Sequence, residues 1–196
     1  MNEQRKIRRR FALALLALLL LNGCQVLGTR RQPPPSPLPL RDLLIDAATY
    51  PSGWKQEDIV DDDRADEVEN LTISFRNPTK NSPVSIHEIL RYASQYEAQQ
   101  DFDLILQQER ENDSSLVPIP QLTYASHTAQ RTSLLCMKRD YDRVDEHRLC
   151  IAMAQYGPYI SVFSAPINKR FMNYANFSRI LGVIDSKMAS VANAYE

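Results

Sequence analysis

Cys136 and Cys150 are the two residues whose spacing points most directly to covalent chemistry. The segments that contain them, SLLCMKR and EHRLCIAMA, are typical of strands and flank the polar segment DYDRVDE. A hairpin centred on Arg143 places the two cysteines opposite each other, within reach of a disulfide. A redox-active or metal-binding pair is the alternative, but the chain has no CxxC motif.

The third cysteine, Cys24, follows a segment with the features of a secretory signal peptide. Five basic residues between Arg5 and Arg10 precede the eleven apolar residues from Phe11 to Leu21. As a helix, eleven residues rise ~17 Å, which is short of the ~30 Å hydrocarbon core of a bilayer. We therefore predict that residues 1–23 are a signal peptide rather than an uncleaved anchor.

The residues Leu21, Asn22, Gly23 and Cys24 resemble the lipobox of bacterial lipoproteins, in which the cysteine is lipidated and becomes the mature N-terminus. Asn22 departs from the small or aliphatic residue usual at its position. The resemblance implies that the chain is exported and held by lipid on Cys24. It would face the periplasm from the outer membrane of a Gram-negative cell, or lie on the cell surface otherwise; ordinary secretion is the alternative. Export also favours a disulfide, because disulfides persist in oxidising compartments.

Residues 24–40 are predicted to be the lipidated N-terminus and a tether. The run PPPSPLP favours extended polyproline II structure, which at ~3.1 Å per residue lets the tether reach up to ~50 Å. A PxxP ligand for a partner domain is the alternative. Residues 41–196 are predicted to be one globular domain. This domain holds 16 basic and 23 acidic residues, so it has no bulk electrostatic reason to bind nucleic acid.

Familiar catalytic and metal-binding patterns do not occur in the sequence. Its isolated glycines cannot form a phosphate-binding loop, a dinucleotide-binding fingerprint or a nucleophile elbow. His87, His127 and His147 are scattered over predicted strands, without a second ligand at metal-binding spacing. We therefore expect no catalytic residues, no metal and no cofactor.

The acidic stretch 57–69 is one candidate for binding. Clustered carboxylates can ligate calcium, but the spacing and central glycine of an EF-hand are missing. We predict a solvated loop between strands, with a weak calcium site as the alternative.

Aromatic residues near the last predicted hairpin are the second candidate. Tyr156, Tyr159 and Phe163 are candidates for contact with a protein partner, because aromatic side chains, and tyrosine above all, are common at contact surfaces. Packing in the core or at its rim is the alternative.

Hydrophobic periodicity predicts the elements that position these residues. Strands are predicted over Trp54 to Val60, Asn70 to Arg76, Val84 to Tyr92, Thr123 to Thr128, Arg131 to Arg139, His147 to Gln155 and Tyr159 to Ser164. Helices are predicted over Gln95 to Glu111 and over the C-terminal stripe from Phe177 to Val191. The order βββ-α-ββββ-α indicates the α+β class, with an antiparallel sheet of six to seven strands packed against two helices.

The segment YPSGW, Tyr50 to Trp54, resembles the Y-P-x-G-W turn of PsbP-like domains. The order of elements over Leu43 to Ala194 is also similar to that family. The resemblance implies a PsbP/Mog1-like sandwich, and some bacterial members of the family are lipoproteins.

Together these predictions favour a membrane-tethered envelope lipoprotein without enzymatic activity. It would bind a protein partner or assist a membrane complex. A small-molecule-binding or sensing domain is the alternative, and a hydrolase without a recognisable motif is the third interpretation.

Overall fold

Six strands form one antiparallel sheet in the order β1-β2-β3-β6-β5-β4. The computed structural model describes residues 38–61, 68–77, 84–112, 122–139, 147–168 and 172–192. The strands are β1 (Lys55–Asp61), β2 (Glu69–Arg76), β3 (Val84–Arg91), β4 (Arg131–Arg139), β5 (His147–Tyr156) and β6 (Tyr159–Ile167). The α+β class and the antiparallel sheet are as the sequence predicts.

In the described ranges, a short 3₁₀ helix (Ala47–Thr49) and three α-helices accompany the sheet. The α-helices are α1 (Leu40–Leu43), α2 (Gln95–Asn112) and α3 (Tyr174–Ala192). The start of α3 is fixed by Asn173, whose side-chain oxygen accepts a hydrogen bond from the backbone N–H of Asn176 at 2.8 Å. None of the helices in the described part of the chain is long and apolar enough to cross a membrane.

The face of the sheet that α3 covers, the α3 face, holds the larger hydrophobic cluster. The predicted stripe of α3 is buried here, and Phe177 on α3 lies 5.3 Å from Phe163 on β6 between ring centroids. The opposite face, the α2 face, holds a smaller cluster in which Ala98 and Phe102 of α2 pack on β5 and β6. Both amphipathic helices therefore bury their apolar stripes on one sheet, as their 3.6-residue periodicity predicts.

The segment 38–54 lies across the α3 face before the chain enters β1. Its apolar residues Leu43, Leu44 and Ile45 are buried in the larger cluster, and Leu38 packs against that cluster. Lys187 on α3 donates a hydrogen bond to the carbonyl of Asp42 at 3.0 Å. Packing therefore begins before residue 41, the predicted start of the domain.

The YPSGW segment closes this N-terminal crossing. Tyr50 stacks on Phe75 of β2 with ring centroids 4.2 Å apart, and its hydroxyl lies 2.8 Å from the hydroxyl of Ser85. Gly53 has a φ of 92°, which a residue with a Cβ adopts only at a steric cost. The motif has a structural role here, turning the chain into β1 while Tyr50 and Trp54 fill the core.

The predicted strand Thr123 to Thr128 is wrong, because residues 122–130 form an irregular segment beside α3. The hydroxyl of Ser126 accepts hydrogen bonds from the two backbone amides at positions 128 and 129, which turns the chain. The carboxylate of Asp185 on α3 accepts hydrogen bonds from the hydroxyls of Ser126 and Thr128. Side chains therefore satisfy polar groups that a strand would have paired with a neighbouring strand.

Replacing Asp185→Ala is expected to lower the free energy of unfolding by about 2 kcal/mol, because it leaves several hydroxyls without their acceptor. Besides the two hydroxyls of segment 122–130, the Tyr156 hydroxyl donates to Asp185 at 3.0 Å. The matched control is Ser186→Ala, whose exposed hydroxyl donates a hydrogen bond to the helix carbonyl of Gly182. Urea denaturation measures the free energy of unfolding of both variants. An equal loss of free energy in the two would contradict the role of Asp185 as a shared acceptor.

Candidate functional site

An open groove of about 520 Å³ lies beside Pro39 and Leu40, just before the domain proper, and we name it the root groove. Its walls come from α1 and from the ends of three strands. The lining residues are Pro39, Leu40, Arg41, Asp61, Glu69, Leu71 and Arg91. A groove of this volume is in the range of small-molecule sites.

Strand register explains why these residues meet. Glu69 of β2 is directly opposite Arg91 of β3, and Leu71 is directly opposite Asp61 of β1. Because side chains two residues apart on a strand share a face, Glu69 and Leu71 point to the same side of the sheet. That side is the α3 face, where Leu71 is buried.

One ion pair lies within the groove, between Arg91 and Glu69. The side chain of Arg91 is only 17% exposed. Its burial acts to lower the pKa of the guanidinium, but the hydrogen bond and the negative charge of Glu69 raise that pKa above its usual range. Arg91 is therefore a permanent cation held in place at the side of the groove.

The other two charged residues of the groove, Arg41 and Asp61, are exposed. Within the described ranges, neither side chain forms an ion pair or a hydrogen bond. The root groove therefore has a cation and an anion that are not neutralised by each other.

A second, shallower groove of about 330 Å³ runs beside α2 on the opposite face. It is lined by Val68, Tyr92, Glu97, Gln100, Asp101 and Leu104. The Tyr92 hydroxyl already donates a hydrogen bond to the Asp101 carboxylate, and Leu104 is half exposed. Fewer charges in this groove are available to orient a ligand, so the root groove is the stronger candidate.

The predicted cysteine pair forms a disulfide. Cys136 and Cys150 are directly opposite each other in β4 and β5, with their Cα atoms 4.1 Å apart. The hairpin register centred on Arg143 is thereby confirmed, although residues 140–146 lie outside the described ranges. The bond fastens the edge strand β4 to the sheet and lies on the α3 face.

The predicted contact residues Tyr156, Tyr159 and Phe163 are buried, with at most 1% of each exposed. They point into the α3 face, where Phe163 packs on α3 and the Tyr156 hydroxyl bonds to Asp185. Burial raises the pKa of Tyr156 well above its usual range. These side chains therefore belong to the core and do not form an exposed surface for a partner, which corrects the prediction.

The three histidines lie on separate parts of the fold. His87 is fully buried on the α3 face, His127 is exposed beside α3, and His147 begins β5. Among the described residues, no group of three or more His, Cys, Asp or Glu side chains could hold a metal ion.

A serine hydrolase arrangement has no support in the geometry around Asp185. Ser126 is next to His127 in sequence, but its hydroxyl donates to Asp185 and accepts from two backbone amides. A nucleophilic serine needs its hydroxyl hydrogen-bonded to a base that can take its proton during attack. The hydroxyl of Ser126 instead holds the chain turn.

Several sequence predictions fall wholly or partly outside the described residues. The predicted signal peptide, residues 1–23, and residues 24–37 of the predicted tether lie outside them and stay predictions. Cys24 lies in the part of the chain that is not described, so lipidation stays a prediction. Residues 62–67 of the acidic stretch are also outside it, whereas Glu57 and Asp58 lie in β1 and Glu69 begins β2. The predicted loop 57–69 is therefore shorter, because strands occupy both of its ends.

No protein-family model, curated protein or solved structure matches the chain. The resemblance to PsbP-like domains stays a prediction that rests on the YPSGW turn and the order of elements.

The sequence places Asp61 and Glu69 in the acidic stretch 57–69, a candidate for calcium, but sequence reasoning missed Arg41, Arg91 and the groove that these residues share. Centring the β2–β3 hairpin on Lys80 would have paired Glu69 with Arg91. No comparable signal brings Arg41 to this pair, because α1 reaches it only through the packing of segment 38–54 on the sheet.

Proposed function

We propose that the chain is a membrane-tethered envelope lipoprotein whose globular domain binds a ligand or partner without catalysis. The lipobox resemblance supports the membrane attachment. The observation that carries the binding role is that the last residues of the tether, Pro39 and Leu40, form one wall of the root groove. Anything bound in this groove is held where the chain continues towards its lipid.

The packing of segment 38–54 gives the tether a firm attachment to the domain. Ile45 is buried, and its backbone N–H donates to Nδ1 of His87 at 3.3 Å. Arg179 on α3 donates to the carbonyl of Thr49 at 2.7 Å. The root groove is therefore built on residues that are fixed to the core, as a preorganised binding site requires.

The contact surface of a protein partner does not include the buried aromatic residues near the last hairpin. A protein partner or membrane complex would instead contact the end of the sheet that carries the root groove. Small-molecule binding is the second candidate function, and it is favoured by the volume of the groove and by its charged residues of both signs.

The variant Cys24→Ser is expected to incorporate no radiolabelled palmitate. Its share in the membrane fraction is expected to fall relative to that of the unmodified chain. The cysteine is the acceptor of the lipid, and serine cannot replace it in that reaction. Expression in a bacterial host followed by labelling and fractionation measures this. The control Gln25→Ser changes the neighbouring residue and is expected to keep the label. Label that persists in the Cys24→Ser chain would contradict the proposal.

A further inference from the structure

The root groove combines two guanidinium groups and two carboxylates, yet only Arg91 and Glu69 are paired with each other. A pure anion would neutralise Arg41 and leave Asp61 without a counter-charge, and a pure cation would do the reverse. A ligand with both charges satisfies both side chains at once. We propose that the root groove binds an ammonium–phosphate zwitterion such as ethanolamine phosphate.

The arginines make phosphate the better match for the anionic half of the ligand. Arg41 from α1 and Arg91 from β3 line the same groove. A phosphate presents several charged oxygens and can accept from two guanidinium groups, whereas a carboxylate is satisfied by one bidentate arginine. Glu69 already neutralises Arg91 but also holds its side chain in place, so Arg41 supplies the unpaired positive charge and Arg91 adds a positioned guanidinium.

The ammonium end of the ligand fits Asp61. This carboxylate is exposed at the end of β1, directly opposite the buried Leu71 of β2. Arg91 lies on β3, on the other side of β2, and is opposite Glu69 rather than Leu71. The backbones of Asp61 and Arg91 are therefore two strand spacings apart across the sheet and two residues apart along it, ~12 Å in all. Leu40 and Leu71 provide apolar contact for the short carbon linker between the charges.

Such a zwitterion occurs as the headgroup of a phospholipid and as a free metabolite. The headgroup source rests on the proposed membrane attachment, because lipid on Cys24 would keep the groove within reach of the bilayer, at most ~50 Å away along the tether. The free source does not depend on lipidation. Failure of the palmitate experiment would therefore remove the first source and leave the groove itself to be tested.

The test uses the full chain purified in the uncharged detergent dodecyl maltoside. Isothermal titration with glycerophosphoethanolamine is expected to show saturable binding. Glycerol 3-phosphate and ethanolamine, which each carry one of the two charges, are expected to bind at least about tenfold more weakly.

Two variants and two matched controls connect this binding to the groove. Arg41→Gln and Asp61→Asn are each expected to weaken it about tenfold or more. The controls are Asp58→Asn, on the same strand as Asp61, and Arg110→Gln, at the end of α2. They remove equal charges outside the groove and are expected to leave the affinity for glycerophosphoethanolamine unchanged.

Native mass spectrometry of the chain in mixed micelles then identifies the source. Retention of phosphatidylethanolamine over phosphatidylglycerol, lost in Arg41→Gln and Asp61→Asn, assigns the lipid headgroup. Binding of glycerophosphoethanolamine alone assigns a free compound. Absence of binding in both measurements would overturn the proposal, and so would equal affinity for glycerol 3-phosphate or equal losses in the control variants.

Discussion

Acidification from pH 7 to pH 5 is expected to lower the free energy of unfolding by about 2 kcal/mol through His87 alone. Burial of this imidazole, aided by the positive charge of Lys187, lowers the pKa of His87 to about 3. In the unfolded chain the histidine regains a pKa near 6.5. The unfolded state therefore binds a proton between these two values while the folded state does not.

His87 makes the free energy of unfolding depend on pH only between about 3 and 6.5. His87 imposes no pH-dependent penalty on the folded state above pH 6.5, and the free energy of unfolding falls by about 1.4 kcal/mol for each pH unit below it. This fall stops near pH 3, where the folded protein also takes up the proton.

The contacts of His87 explain why the folded state excludes the proton. Nδ1 accepts from the backbone N–H of Ile45 at 3.3 Å, so the neutral ring carries its hydrogen on Nε2 and donates it to the Ser161 hydroxyl at 3.0 Å. A proton on Nδ1 would remove the acceptor of Ile45. Acid unfolding is therefore expected to release segment 38–54 from the sheet.

The variant His87→Gln removes the titrating group and keeps an acceptor and a donor in the side chain. Its free energy of unfolding is expected to change about 2 kcal/mol less than that of the unmodified chain between pH 7 and pH 5. His127→Gln, at an exposed histidine, is the control and is expected to keep the full dependence. An equal fall in the free energy of unfolding between pH 7 and pH 5 in all three chains would refute the role of His87.

A direct titration covers the case in which His87→Gln does not fold. In the unmodified chain, the imidazole NMR signals of His87 are expected to stay those of the neutral ring down to pH 5. Protonation of His87 with a midpoint near 6.5 would contradict the prediction.

The strands and helices were predictable because burial is periodic along them. In α3, residues such as Phe177, Ile184 and Met188 recur at helical spacing and are all buried. The turn before β6 was predictable because it needs a residue that tolerates positive φ, and Gly157 has a φ of 58°. The register of β4 and β5 followed from one chemical constraint, the pairing of Cys136 with Cys150.

The errors share one physical cause, which is that periodicity does not say what lies above a strand. Tyr156 and Tyr159 flank a tight turn, where exposure is common, but α3 and segment 38–54 cover that face of the sheet. The alternation that predicts a strand over Thr123 to Thr128 is overridden by Asp185, about sixty residues away in sequence. The root groove likewise depends on contacts between distant segments.

Removal of the disulfide is expected to lower the free energy of unfolding by roughly 3 kcal/mol, because a loop closed over 14 residues no longer restricts the unfolded chain. The variant with both Cys136→Ala and Cys150→Ala tests this by urea denaturation. Alanine avoids leaving two hydroxyls in a buried position, since both cysteines are buried in the larger cluster. A part of the loss comes from the missing sulfur atoms rather than from the bond.

Reduction separates the two contributions. Dithiothreitol is expected to lower the urea midpoint of the unmodified chain and to leave the midpoint of the double alanine variant unchanged, because only the first has a bond to break. Denatured, unreduced protein exported from the cytoplasm is expected to show no free thiol at Cys136 or Cys150, whereas protein kept in a reducing cytoplasm is expected to show both. Two free thiols in the exported protein would contradict the bond, and the same bond formed in the cytoplasm would remove its support for export.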